Sequence, residues 1–307
     1  MTYKLATYKS DKGPRAGVIV DDRLYDAAAL TRNSAYSTML DIINDWGRAK
    51  GALKKAAAGA GKSKAKSRPL KGAKLLAPVL YPSAIYCAGA NYTDHMMEMA
   101  RLQNMPPSPD PHEVGLKPWH FIKASRCVTG EGATVKLPAA SKAVDWEAEL
   151  GAVIARPTRN ISERDALSAV AGYLIVHDLS ARDLMKREGS PFVYDWLGQK
   201  CFEDSAPMGP WLTPAAYVAD PNDLAIRLWV NGVLKQDSNT GRMVHGIAEQ
   251  IAYLSRHVTL WPGDVIATGT PAGVGMPRGE FLKVGDEVKI EIAGLGTLTN
   301  RMVADDA

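Results

Sequence analysis

Val144-Asp-Trp-Glu-Ala-Glu-Leu-Gly-Ala-Val-Ile154 carries two glutamates one residue apart inside an apolar, strand-like run. In an extended chain side chains alternate, so Glu147 and Glu149 face the same way, roughly 6.6 Å apart along the strand. Trp146, Ala148 and Leu150 then face the other way, into a core. A second apolar run, Gly172-Tyr-Leu-Ile-Val-His-Asp178, ends in another carboxylate. Two acids this close repel unless a positive charge sits between them. A hard divalent cation answers that requirement, with Asp178 as third oxygen ligand and water or substrate oxygens completing the shell, as suits Mg²⁺ or Mn²⁺. The same Glu-x-Glu also fits the wet face of an edge strand, and the spacing alone leaves both readings open. Ser180 followed by Asp183 resembles a capping box and predicts a helix over 181–188.

The rest of the chain bounds the function. At 307 residues it holds one large domain or two unequal ones, and 46% hydrophobic residues suffice for a buried core. No apolar stretch approaches the ~20 residues that span a bilayer, so no membrane partner is expected. The start, Met-Thr-Tyr-Lys-Leu-Ala-Thr-Tyr-Lys, has no apolar signal region. Cys87, Cys127 and Cys201 are odd in number and widely spaced; they read as reduced packing residues of a cytoplasmic protein. No base is evident beside Cys201 that would make it a nucleophile.

The net charge of +4 is unevenly spread: residues 47–93 hold ten Lys or Arg and no acid, which leaves the remainder at −6. No aromatic is interleaved with these lysines for base stacking. The segment Lys50–Lys74 therefore reads as a mobile or helical surface connection, and no nucleic-acid partner is expected.

Short strands over 4–8 and 16–20 and a helix over 37–46 predict a small N-terminal α/β domain. With the lysine-rich connection it occupies 1–78, and a second domain runs from 79 to 307. That larger domain reads as sheet-rich, with helices over 92–102, 163–170, 181–188 and 243–255. Strands are expected over 225–230, 265–268, 287–292 and 298–303, and Asn231-Gly232 marks a hairpin. Strands and helices do not alternate regularly, so the fold class is mixed α+β, not a Rossmann or TIM-barrel plan.

Several motifs in order carry a resemblance: Gly89-Ala-Asn-Tyr-Thr-Asp-His-Met-Met-Glu-Met99, Asp145-Trp-Glu-Ala-Glu-Leu-Gly151, Gly172 to Asp183, Gly198-Gln-Lys-Cys-Phe202, Ala206-Pro-Met-Gly-Pro210, Asn231-Gly232, and Trp261 to Gly275. Over about residues 79–303 the chain resembles the fumarylacetoacetate hydrolase family. The resemblance implies a β-roll-like catalytic fold behind a smaller N-terminal domain, a homodimer, and a Mg²⁺, Mn²⁺ or Ca²⁺ site made by Glu147, Glu149 and Asp178. It further implies action on small 2-oxo acids and 1,3-dicarbonyl compounds, often in aromatic-compound catabolism, by C–C hydrolysis, decarboxylation, isomerisation or hydration.

His95 and Glu98 are three apart, on one face of a helix; the resemblance makes them a pair that activates water, on a segment that orders over substrate. Met96, Met97, Met99 and Met105 and the prolines at 106, 107, 109, 111 and 118 then read as lid or packing. By the same resemblance Lys200 points at the bound substrate. Arg182 is expected to grip a substrate carboxylate or to pair with Asp183 or a ligand carboxylate. Thr268-Gly-Thr-Pro-Ala-Gly-Val-Gly275 is not a phosphate loop; Gly269 and the Thr270 hydroxyl are expected to meet substrate. His120, His177, His245 and His257 lack metal-ligand spacing. The expected activity is metal-dependent hydrolysis of a C–C bond in an acylpyruvate-like 2-oxo acid. The alternative is isomerisation, hydration or decarboxylation of an unsaturated 2-oxo diacid. A silent binding protein and a nucleic-acid binder are the readings from other classes.

Overall fold

The computed structural model describes residues 2–102, 104–106 and 109–305. Pro107 of the proline-rich run lies outside them. The architecture is α+β and dominated by sheet, as expected, with no closed barrel among the described residues. The central strands run antiparallel. Ala148–Ile154 pairs with Val170–His177 on one side and with Val265–Ala267 on the other. The sheet continues from Val170–His177 through Ala206–Pro214 to the N-terminal strands Lys4–Ser10 and Gly13–Val20. Beyond Val265–Ala267 it reaches Ile85–Ala88 and His120–Lys123.

Alternation sends the side chains of these strands into two cores. Val153, Leu174 and Val176 pack with Leu5, Ile42 and Leu53 of the N-terminal layer. Leu150, Ile154, Tyr173 and Ile175 pack against a second sheet that includes Ala225–Val230 and Glu287–Ile292. The Glu-x-Glu run is therefore covered on both faces, and the edge-strand reading fails.

The lysine-rich connection is helical in its first part and ends in a short strand, Ser67–Pro69, paired with Arg23–Asp26. Ala49, Leu53 and Ala57 of the helix Trp46–Ala58 recur every four residues and are buried, while Lys50, Lys54 and Lys55 face solvent. Asn231 and Gly232 both have positive φ, at 50° and 77°, and close the hairpin between Ala225–Val230 and Val233–Asn239.

The helix expected over 181–188 is not formed. Ser180 is buried and its hydroxyl donates to the Asp178 carbonyl, so it caps nothing. Ser180–Ala181 instead pairs with Val144–Asp145, and only the short turn Arg182–Leu184 follows. Other helices keep their place with shifted ends. Glu163–Ala166 is capped by Ser162 and gives way to a strand at Val170, and Ile247–His257 starts late because the Val244 and His245 amides bond to Asn91.

Candidate metal centre and active site

Strand pairing assembles the acidic centre. Ala148 lies opposite His177, so Glu147 and Asp178, one residue beyond on each strand, become neighbours; the Asp178 amide donates to the Glu147 carbonyl at 3.0 Å. Glu147, Glu149 and Asp178 are 6%, 1% and 0% exposed, and one carboxylate oxygen from each lies within 4.8 Å of the others.

Three cations surround these acids. Lys200 Nζ bridges Glu147 Oε2 at 2.8 Å and Asp178 Oδ2 at 2.7 Å. Lys123 Nζ donates to Asp178 Oδ1 at 2.8 Å and to the Leu179 carbonyl. Arg182 donates to Asp145 and to Glu147. Asp145 is buried too and also accepts from the amides of Gly275 and Met276. By formal charge, Lys123, Lys200 and Arg182 balance Asp145, Glu147 and Asp178, and Glu149 is the unmatched fourth carboxylate.

The titration behaviour follows. Burial alone would raise Glu147, but the Lys200 and Arg182 charges outweigh it and hold its carboxyl well below the usual range. Burial, reinforced by the charges of Asp178 and Glu147, pushes Glu149 well above it. Burial would lower Lys200, yet Asp178 and Glu147 raise it above an ordinary lysine. Glu149 accepts a hydrogen bond from the Gly269 amide at 3.0 Å, and among the described residues no cationic side chain pairs with it. Three converging oxygen donors with one uncompensated charge fit a hard divalent cation of the Mg²⁺, Mn²⁺ or Ca²⁺ type.

A cavity of about 200 Å³ opens above this cluster. Glu147, Glu149, Arg182, Lys200, His95 and Thr270 line it, and Trp119, Phe121 and Trp196 form an apolar wall. The cavity thus gathers every expected site residue except Asp178, Glu98 and Gly269. Asp178 lies beneath, bonded to Lys200, and Gly269 supports Glu149 from a backbone at φ 98°. Thr270 Oγ1 accepts from Gln236 Nε2 at 2.9 Å, which leaves its hydroxyl proton available to donate.

The helix Thr93–Leu102 docks on the loop that follows Thr270. Asp94 accepts from Ser238 Oγ and from the Ala272 amide, so it is a docking residue. Glu98 accepts from the Gly273 amide at 2.8 Å and from Arg278 Nη2 at 2.7 Å. The expected His95–Glu98 contact is therefore not made. Docking engages both Glu98 oxygens with the loop, and His95 Nδ1 is buried with no hydrogen-bond partner among the described residues. Burial lowers the His95 pKa below its ordinary value, outweighing the opposing charge of Glu147. Met97 and Met105 are exposed and Met96 and Met99 half-buried, so these methionines belong to the rim and not the core. Arg182 pairs with Asp145 and Glu147 and not with Asp183, which accepts from Ser141 and the Lys142 amide.

Four contributors lay beyond the sequence reading. Lys123 follows Phe-Ile in a short strand and nothing local marks it. Gln199 lines the cavity with its Oε1 unpartnered. Gln236 ties Ala148 to Thr270 from another sheet. Trp119 packs so closely on Gly89 that a Cβ there would stand 2.2 Å from its ring; it lies in a loop with no periodic signal.

Comparison with known proteins finds relatives of this chain. The fumarylacetoacetate (FAA) hydrolase C-terminal family model matches residues 84–303. An oxaloacetate tautomerase of Xenopus laevis, described as mitochondrial, is 44% identical over 232 residues, covering 75% of this chain and 68% of that protein. Among solved structures, maleylpyruvate hydrolase from Sphingobium sp. SYK-6, in complex with manganese(II) and pyruvate, has a TM-score of 0.76 at 30% identity, covering 99% of this chain and all of that one. A 2-hydroxyhepta-2,4-diene-1,7-dioate isomerase from Mycobacterium marinum has a TM-score of 0.72 at 29% identity, with 99% and 100% coverage. A family match over most of the chain and a relative this similar along three quarters of it make the chain a member of the fumarylacetoacetate hydrolase family.

Proposed function

We propose that this chain is a divalent-metal-dependent tautomerase that interconverts the enol and keto forms of a short 2-oxo diacid of the oxaloacetate class. One observation carries the reading: an imidazole, His95, lines the same small cavity as the acidic centre and has a pKa lowered by burial. A cation held by Glu147, Glu149 and Asp178 would supply a Lewis acid that draws electrons from a neighbouring carbonyl. The His95 imidazole takes the proton from the carbon between ketone and distal carboxylate, the enolate oxygen takes a proton from solvent to give the enol, and the two reverse transfers regenerate the ketone. Lys200 and the Thr270 hydroxyl donate toward negative charge that develops on oxygen. The Trp119, Phe121 and Trp196 wall keeps water from the carbanion-like carbon. With a divalent ion the cluster carries one net positive charge, which suits an anionic substrate. The relative with 44% identity bears the matching name.

Hydrolysis of an acylpyruvate is the second reading, favoured by the 30% identical hydrolase solved with manganese and pyruvate. The test follows loss of enol absorbance from freshly dissolved oxaloacetate, and pyruvate release from acylpyruvates, each with Mg²⁺ and with chelator. Metal-dependent enol loss without pyruvate release supports tautomerisation; pyruvate plus a second acid as the main turnover overturns it. Glu98→Gln separates the two further. Because Glu98 bonds Gly273 and Arg278, tautomerisation is expected to fall less than ~10-fold, whereas loss of a water-activating partner would cost ~10²-fold or more.

The homodimer is also proposed. Phe192, Val193, Tyr194 and Leu197 are consecutive or nearly so and 52–76% exposed, the kind of apolar stretch that marks a protein contact. Light scattering at the mass of a single 33.1 kDa chain would refute it.

A further inference from the structure

Away from the acidic centre, three side chains from separate parts of the chain converge. His112 lies in the proline-rich segment, His245 just before the helix Ile247–His257, and Glu249 in that helix's first turn. His245 Nδ1 is 2.8 Å from Glu249 Oε1, and His112 Nε2 is 3.1 Å from Glu249 Oε2. The two imidazoles meet edge to face with centroids 4.8 Å apart. One donor atom from each of the three lies within 4.8 Å of the others.

The geometry points to a second metal site here, formed by His112, His245 and Glu249 and taking Zn²⁺ or a similar transition cation. Two imidazole nitrogens and a carboxylate are the donor set that zinc prefers, with water in the fourth position. The oxygen-only centre suits harder ions, so the two sites differ in chemistry. A ligating histidine usually donates its other ring N–H to a carboxylate that fixes its orientation. His112 has that partner: its Nδ1 lies 3.3 Å from Asp110 Oδ1. His245 is anchored through its backbone instead, its amide donating to Asn91 Oδ1 and its carbonyl accepting from Asn91 Nδ2 and Gln250 Nε2. Linear spacing conceals the site, because His112 precedes Glu249 by 137 positions.

Its role is a staple. Among the described residues, 109–118 otherwise bonds only within itself, through Val114 to Asp110, Gly115 to His112 and Leu116 to Pro111. The His112–Glu249 contact is its hydrogen-bonded tie to the rest of the chain. A bound ion would fasten this segment to the helix Ile247–His257, beside the helix that carries His95. Asn91, which grips His245, also donates to the Thr268 carbonyl, immediately before Gly269 and Thr270.

The experiment strips metals from the full chain, adds Zn²⁺ in saturating Mg²⁺ and measures zinc retained after desalting, with Co²⁺ absorption as a coordination probe. One zinc per chain is expected in the native protein and in Glu149→Gln. His112→Ala and Glu249→Gln should each weaken zinc at least ~100-fold and abolish the four-coordinate cobalt bands. Zinc should also slow proteolytic cleavage within 109–118. Absence of retained zinc overturns the site, as does retention unchanged by His112→Ala and Glu249→Gln, or retention lost in Glu149→Gln.

Discussion

Glu149→Gln is expected to lower kcat/KM about 10³-fold, roughly 4 kcal/mol of transition-state stabilisation, while making the metal-free protein more stable at neutral pH. Both effects have one cause. Lys123, Lys200 and Arg182 already balance three of the four buried acids, so Glu149 is the charge that waits for the ion. Glutamine keeps the oxygen that accepts from Gly269 and removes the charge. The pH dependence gives the sign. Burial and its acidic neighbours raise the Glu149 pKa in the folded state. Its contribution to metal-free stability is thus present below the unfolded carboxyl value, near 4.3, and is lost as pH rises through the folded value. In Glu149→Gln that decline should flatten, and the rise in melting temperature on adding Mn²⁺ should vanish. A variant still stabilised by millimolar Mn²⁺, with turnover within tenfold of the native protein, would remove Glu149 from the centre.

Alternation made the shared side of the two glutamates legible, while the choice of a metal centre over a solvated edge rested on the resemblance. Glu147 and Glu149 share a side because strands have period two, and Asp178 ends the strand that pairs with theirs. The failures are those of local rules overridden by tertiary contacts. Ser180 satisfies a capping pattern, yet the pull of the Val144–Asp145 pairing keeps it extended and buried. His95 and Glu98 sit one turn apart as read, but which partner Glu98 chooses depends on Gly273 and Arg278, about 175 positions away. Lys123 and Gln236 are single polar residues in ordinary strands. Their importance exists only once Asp178, Ala148 and Thr270 have been brought beside them.

His95→Gln is the other large effect, expected to slow tautomerisation about 10²–10⁴-fold with Mn²⁺ binding intact. The imidazole lines the cavity but is absent from the three acids that would hold the ion, so a loss confined to turnover assigns it to proton transfer. Burial lowers its pKa below the ordinary 6.5, which keeps the basic form present through neutral and mildly acid conditions. The acid limb of kcat/KM should therefore fall below pH 6.5 in the native protein and disappear in the variant. The linkage has the opposite sign to that of Glu149. A histidine with a depressed folded pKa stabilises the folded form above its unfolded value, and that stability is lost as pH falls through the folded one. Acid should accordingly loosen the docked helix Thr93–Leu102 as well as silence the base. Asp94 and Glu98 hold that helix through Ala272, Ser238, Gly273 and Arg278. Arg278→Ala then separates loosening from protonation: it should raise KM with the acid limb unmoved. Retention of more than a tenth of native turnover by His95→Gln, or an acid limb that survives it, would take the proton-transfer role away from this residue.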